Sequence, residues 1–196
     1  MGYDTTAWTT AGNTLTIGGT TMYAEFGITS SSSSGSGSWD DDTHYLIPYN
    51  GVVNTTSIEA QVSLGGSTDP ATSFTTADGG GTDGSALVSK LWYLPDNIYI
   101  DGIYSLEGAS NATSITTTWH LMSFDFTSGS TSCLTNGEEL ASNTTTNAGS
   151  EQIYLNSWTV DTPVVAAGKV VVATFYKNLS TGFDCSANVK VKYHLT

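Results

Sequence analysis

Apolar and polar residues alternate with a period of two along much of this chain. Ile58, Ala60, Val62 and Leu64 alternate with Ser57, Glu59, Gln61 and Ser63, the pattern of a half-buried strand with one wet face. Near the end, Val189, Val191, Tyr193 and Leu195 point one way and Lys190, Lys192 and His194 the other. Within Glu151 to Val160, Ile153 and Leu155 share one side, and Tyr154 and Trp158 share the other. Lys169 to Tyr176 is apolar on both faces, which predicts a central strand covered on both sides, with a subunit interface as one way of covering it.

The middle of the pattern is Leu91 to Leu106. It reads as two strands, Ala86 to Leu94 and Asn97 to Leu106, rich in the β-branched and aromatic residues that suit a pleated surface. Pro95 lacks a backbone donor, and Pro95-Asp96-Asn97 supplies turn chemistry between the runs. The apolar set shifts from Ile98 and Ile100 to Ile103 across Gly102, as a β-bulge would produce; a plain loop at Asp101-Gly102 fits equally. Ile115 to Phe126 is a further strand with a change of face near Met122. Asn136-Gly137 is a tight-turn signal, and Glu138 to Leu140 is the one place for a helical turn. Tyr45 to Tyr49 contains Pro48, which suggests an edge strand, and Asn50-Gly51 marks the next turn.

At the start, Leu15 and Ile17 lead through Gly18-Gly19 into Met22, Ala24, Phe26 and Ile28, a predicted hairpin. The run Thr29 to Ser38 is almost all serine and glycine, the composition of a flexible linker. The expected organisation is therefore a flexible N-terminal arm and hairpin over 1–38 and a β-sandwich domain over 39–196. Eight or more strands separated by turns, without helical periodicity, give an all-β, antiparallel sandwich or barrel.

Composition narrows the partners. Of 196 residues only 12% are charged, about half the usual share, and serine, threonine and asparagine fill the gap. Five lysines stand against eighteen acids, a net charge of -13 with no arginine. Such a chain repels nucleic acid and anionic membranes. No run approaches the ~20 apolar residues of a membrane span, and the first residues show no secretory signal pattern. Cys133 and Cys185 leave both one disulfide and two thiols open, and no CxxC spacing suggests a zinc site.

Catalytic patterns are absent. His44, His120 and His194 fall in different segments without HExxH or HxH spacing, and there is no GxSxG elbow. Glu25, Glu59, Asp101, Glu107 and Asp125 are all candidate acids, so no facing pair is singled out for glycoside hydrolysis. Asp125, between Phe124 and Phe126, is the acid expected to be partly buried as a structural acceptor. Asp40, Asp41 and Asp42 follow Trp39 and offer oxygen ligands to a structural calcium, although EF-hand spacing is missing and a solvated acidic loop is the simpler reading. The glycine-rich stretch Gly65 to Ser85 lacks the Lys-Ser/Thr ending of a phosphate loop. The chain reads as a non-enzyme without cofactor.

Four phrases, Trp92-Tyr-Leu-Pro-Asp-Asn-Ile, His120-Leu-Met-Ser-Phe-Asp, Ala167-Gly-Lys-Val-Val-Val-Ala and Val189-Lys-Val-Lys-Tyr-His-Leu, together with the composition, resemble virion structural proteins of tailed bacteriophages of the marine and cyanobacterial kind. The resemblance covers about Tyr45 to Thr196 and carries no catalytic residues. It implies a jelly-roll-like sandwich in the virion, assembled in the host cytoplasm. The implied role is a capsid decoration or cement protein bound to the major capsid protein or another virion protein, as a homo-oligomer with a trimer favoured. A tail-fibre or receptor-binding domain comes next, then a carbohydrate-binding module, then a glycosidase. Expected contact residues are Tyr3 and Trp8 in the arm, Trp39 after the linker, and Val171 in the doubly apolar strand.

Overall fold

The computed structural model describes residues 8–11, 14–17, 21–30, 45–47, 49, 52–54, 70–73, 87–109, 115–147, 152–177 and 185–196. In chain order the strands are β1 (Trp8–Ala11), β2 (Thr14–Ile17), β3 (Met22–Ser30), β4 (Tyr45–Ile47), β5 (Val52–Asn54), β6 (Trp92–Tyr93) and β7 (Ile98–Ala109). They continue with β8 (Ile115–Phe126), β9 (Leu134–Asn147), β10 (Gln152–Ser157), β11 (Thr159–Val160), β12 (Val164–Val165), β13 (Lys169–Lys177) and β14 (Cys185–Leu195). The class is all-β, as the period-two pattern predicts. One sheet runs β10-β7-β14-β3-β5 with β12 beside β7, and the other runs β11-β9-β8-β13-β4 with β6 beside β13. Among the described residues pairing is antiparallel throughout except between β3 and β5.

The pairings are nested. β8 pairs with β9, β7 with β10, β4 with β13, and β3 with β14. These rungs alternate between the two sheets. The chain thus traces one long hairpin with β8–β9 at its tip, and the lateral pairs β7–β14 and β8–β13 lock neighbouring rungs together.

Alternation along each strand decides what is buried. Phe26, Ile98, Ile100, Ile103, Val189 and Val191 from the first sheet meet Trp119, Leu121, Leu140, Val171, Ala173 and Phe175 from the second in the main core. A second core on the other side of β8 and β13 joins Leu46, Met122, Phe124, Val170 and Val172 to Leu87, Cys133 and Leu134, with Ala71 and Leu91 packed against it. β13 is therefore covered on both faces by its own chain. Val171 has 0% of its surface exposed and faces the main core, so it offers nothing to a partner.

Three sequence expectations change. The predicted hairpin around Gly18-Gly19 is replaced: β2 pairs with β1, while β3 pairs with β14 and β5 and puts Ala24 and Phe26 in the main core. A boundary at residue 38 would cut β3 from the sandwich it completes. Second, Asn136-Gly137 makes no hairpin turn, and Glu138 to Leu140 makes no helical one, because β9 runs through both. The reversal lies earlier, where the Thr127 amide donates to the Cys133 carbonyl at 2.9 Å. Asn136 instead takes a φ of 51° in an irregular stretch of the β8–β9 register, a conformation asparagine tolerates better than most residues. Third, the face change near Met122 is not in β8, which keeps its parity against β13 from Thr117 to Asp125. The extra residue is in β9, where Leu121 faces Ala141 and Met122 faces Glu139. At Gly102 the bulge is the arrangement found: Lys192 lies opposite Gly102 and Tyr193 opposite Ile100, leaving Asp101 over.

Gly137 lets the cover of the second core close. Its amide donates to the Thr72 carbonyl at 2.7 Å, and a Cβ there would lie 2.5 Å from the Phe124 ring and 2.8 Å from the Thr72 Cα. Gly137→Ala is expected to destabilise the protein by about 1–3 kcal/mol through overpacking, and Phe124→Ala by about 3–5 kcal/mol through the cavity it leaves. Urea denaturation of the two variants checks both values.

Candidate interaction surface

The first sheet turns a mixed apolar face to solvent. On β7 the residues Ile98, Ile100, Ile103, Ser105 and Glu107 point inward, and Tyr99, Tyr104 and Leu106 point outward. The bulge at Asp101 sets this parity: without its extra residue the isoleucines on its two sides could not both face the core. On β10, Leu155 lies opposite Leu106 and Ile153 opposite Gly108. Ile153 is 77% exposed and Leu155 76%, among the most exposed large apolar side chains described. The two share a side, as their spacing predicts, and it is the solvent side.

Beside them runs a groove of about 400 Å³ lined by Tyr104, Ser105, Leu106, Leu155, Asn188 and Lys190. Lys190 on its margin is paired, and a second polar pair lies further along the same strands. Lys190 Nζ lies 3.0 Å from Glu25 Oε1, and His194 Nδ1 lies 3.0 Å from Asp101 Oδ1 with its ring 5.3 Å from that of Tyr99.

What holds Ile153 and Leu155 outward is a polar cluster on the inner side of the same strands. The Ser105 hydroxyl donates to Glu107 at 2.6 Å and accepts from Trp158 Nε1 at 2.9 Å. Asn156 Nδ2 donates to Glu107 Oε1 at 3.1 Å and to Thr145 Oγ1 at 3.0 Å, and Thr117 Oγ1 donates to Glu107 Oε2 at 3.4 Å. Flipping β10 by one residue would bury Leu155 but would strip the buried Glu107 of a donor. Among the described residues Glu107, rather than Asp125, is the buried acid, and its carboxyl group accepts from three side chains in a structural role.

Asp125 is half-exposed. It accepts from Asn136 Nδ2 at 2.8 Å and pairs with Lys169 Nζ at 3.1 Å, and these contacts hold its carboxyl below the usual aspartate range. His120 Nδ1 lies 2.5 Å from Glu139 Oε2. Cys133 is a free, buried thiol, and burial pushes its pKa up. Among the described residues no three His, Cys, Asp or Glu side chains converge as metal ligands.

Of the contact residues expected from sequence, Trp8 and Val171 fall among the described residues. Tyr3, Trp39 and the trio Asp40, Asp41 and Asp42 lie outside the described residues. Trp8 is in β1 opposite Ile17, and Val171 is in the main core. Sequence reasoning missed Leu106, Ile153 and Leu155. The signal for them was present in Asn156, on the other side of β10, and in Trp158, just past its end, which carry polar atoms that need buried partners. No family model matches the chain, and no curated protein matches it.

Ser105→Ala removes the acceptor of the buried Trp158 indole and a donor to Glu107, and is expected to cost about 1–3 kcal/mol in chemical denaturation. The lowered Asp125 pKa gives a stabilisation complete above the unfolded aspartate pKa and lost as pH falls through the folded one. Asp125→Asn should remove that part of the acid loss of stability, read from melts across an acidic pH series.

Proposed function

We propose that this chain is a non-enzymatic structural protein of a virus particle: a decoration or cement protein on the outside of a tailed-phage head, held there by contacts with the major capsid protein and with its own copies. The observation that carries this reading is the exposed aliphatic surface of Leu106, Ile153 and Leu155 beside an open groove, on a sheet whose other face is fully packed. Contiguous exposed apolar patches mark contact surfaces on folded proteins. The surrounding surface, rich in Ser, Thr and Asn and without arginine, has few long side chains to immobilise when copies pack closely.

The strand order supports the finer fold reading. Four nested pairs alternating between two facing sheets are what a jelly roll requires, and that fold serves both viral capsids and lectins. The lectin use gives a second reading its footing. Tyr104 stands over the groove with Asn188 and Lys190 at hand, an aromatic face with polar neighbours suited to a sugar. A receptor-binding tail domain or a carbohydrate-binding module would use the groove in that way.

Quantitative mass spectrometry of purified particles is expected to find the protein in many copies per particle, and particles lacking it are expected to lose integrity at a lower temperature. Absence from purified particles would overturn the reading. Glycan-array signals abolished by Tyr104→Ala would transfer the function to sugar recognition.

A further inference from the structure

We infer that the groove beside Tyr104 binds an uncharged pyranose sugar, with the Tyr104 ring as its platform and the Asn188 amide as its polar partner. The inference rests on the sugar-recognition reading of this groove and not on attachment to a particle.

A glycine makes the platform. Gly102 and Tyr104 stand two residues apart on β7, opposite Lys192 and Lys190 of β14, and share the outer side of the sheet. A Cβ on Gly102 would lie 3.2 Å from the Tyr104 hydroxyl oxygen and 3.4 Å from both Cζ and Cε2 of its ring. An atom off the ring's edge would stand clearly farther from Cζ than from the atoms on either side of it. Near-equal distances place it over the ring's margin instead. The Tyr104 ring therefore lies back over Gly102, one face toward the strand and the other toward solvent, with the residue 42% exposed.

That lean leaves the groove open. Leu106 follows Tyr104 on the same side of β7, away from Gly102, and both residues line the space of about 400 Å³. Leu155, Leu106 and Asn188 form one row across three strands, and Tyr104 and Lys190 belong to the next. Small-molecule sites occupy roughly 300–1,000 Å³, mostly apolar with a few placed polar groups.

The lining suits one kind of ligand. A pyranose carries a face of weakly positive C–H bonds, which matches the negative face of an aromatic ring, and a rim of hydroxyls that both donate and accept. Asn188 is half-buried on the wall and makes no side-chain hydrogen bond among the described residues, so its amide offers a donor and an acceptor to adjacent hydroxyls. A purely apolar side chain in the same place would cover that amide without pairing it. Charge disfavours acidic sugars. Lys190 is already paired with Glu25 at 3.0 Å, and the chain as a whole carries a net charge of -13.

Saturation-transfer NMR and titration of the full chain test this, with the methyl glycosides of glucose, galactose, mannose and N-acetylglucosamine, and methyl glucuronide as the acidic probe. At least one neutral glycoside should bind, with a Kd on the order of millimolar for so few atoms, and the glucuronide should not. Tyr104→Ala should abolish binding. Gly102→Ala keeps the tyrosine but props up its ring, and should weaken binding about tenfold with little change in melting temperature. Asn188→Leu serves as the further variant should Gly102→Ala fail to fold, with a similar loss expected. Binding that survives Tyr104→Ala would place the sugar elsewhere and overturn the inference. Binding of the glucuronide in preference to every neutral glycoside would overturn it while keeping the sugar reading of the groove. Binding of none of the probes would remove both.

Discussion

Two adjacent strands, β8 and β13, are apolar on both faces, and covering both faces is the constraint from which the rest of the structure follows. They pair over nine residues without a slip. One face of the pair calls for a whole second sheet, which the flanking strands supply by folding back in nested order. The other face calls for a separate cover, supplied in part by Ala71, Leu87 and Leu91. A sheet buried on one side alone would leave Met122, Phe124, Val170 and Val172 in water, at about 1.5–3 kcal/mol for each large side chain. Gly137 is small because this cover must close against it.

Much of the architecture was legible in the sequence because it depends on period. The alternation in β14 and the double apolarity of β13 follow from which side chains can tolerate water, and the fold honours both. The parity shift at Gly102 was equally visible. The misreadings arise where local chemistry has two uses. Asn136-Gly137 suits a hairpin turn and suits an irregular strand position, and only the pairing of β9 with β8 decides between them. Gly18-Gly19 likewise suits a turn between β2 and β3, yet β3 finds its partners at the far end of the chain. Pairing across such separations leaves no local trace.

The exposed apolar face was less legible because apolar residues are expected inside. Ile153 and Leu155 have the spacing of a buried face. They stay out because Asn156 and Trp158, on the opposite side, have stronger claims on the interior: a buried carboxylate and a serine hydroxyl wait there for their donors. The same logic separates Glu107 from Asp125. Flanking phenylalanines drew attention to Asp125, but its partners Lys169 and Asn136 hold it at the surface, whereas Ser105, Thr117 and Asn156 make an inward place for Glu107.

The side-by-side position of β3 and β14 bears on how the protein can be made. They are the outermost rung of the nested hairpin, near opposite ends of the chain, and nine residue pairs join them. During synthesis β3 leaves the ribosome long before the strand that shelters it exists, so Ala24 and Phe26 wait uncovered until β14 has been made. Folding dominated by such remote pairings is slow. A nascent chain of this design is most exposed to aggregation just before β14 emerges, and loss of that one strand would forfeit the central member of an entire sheet.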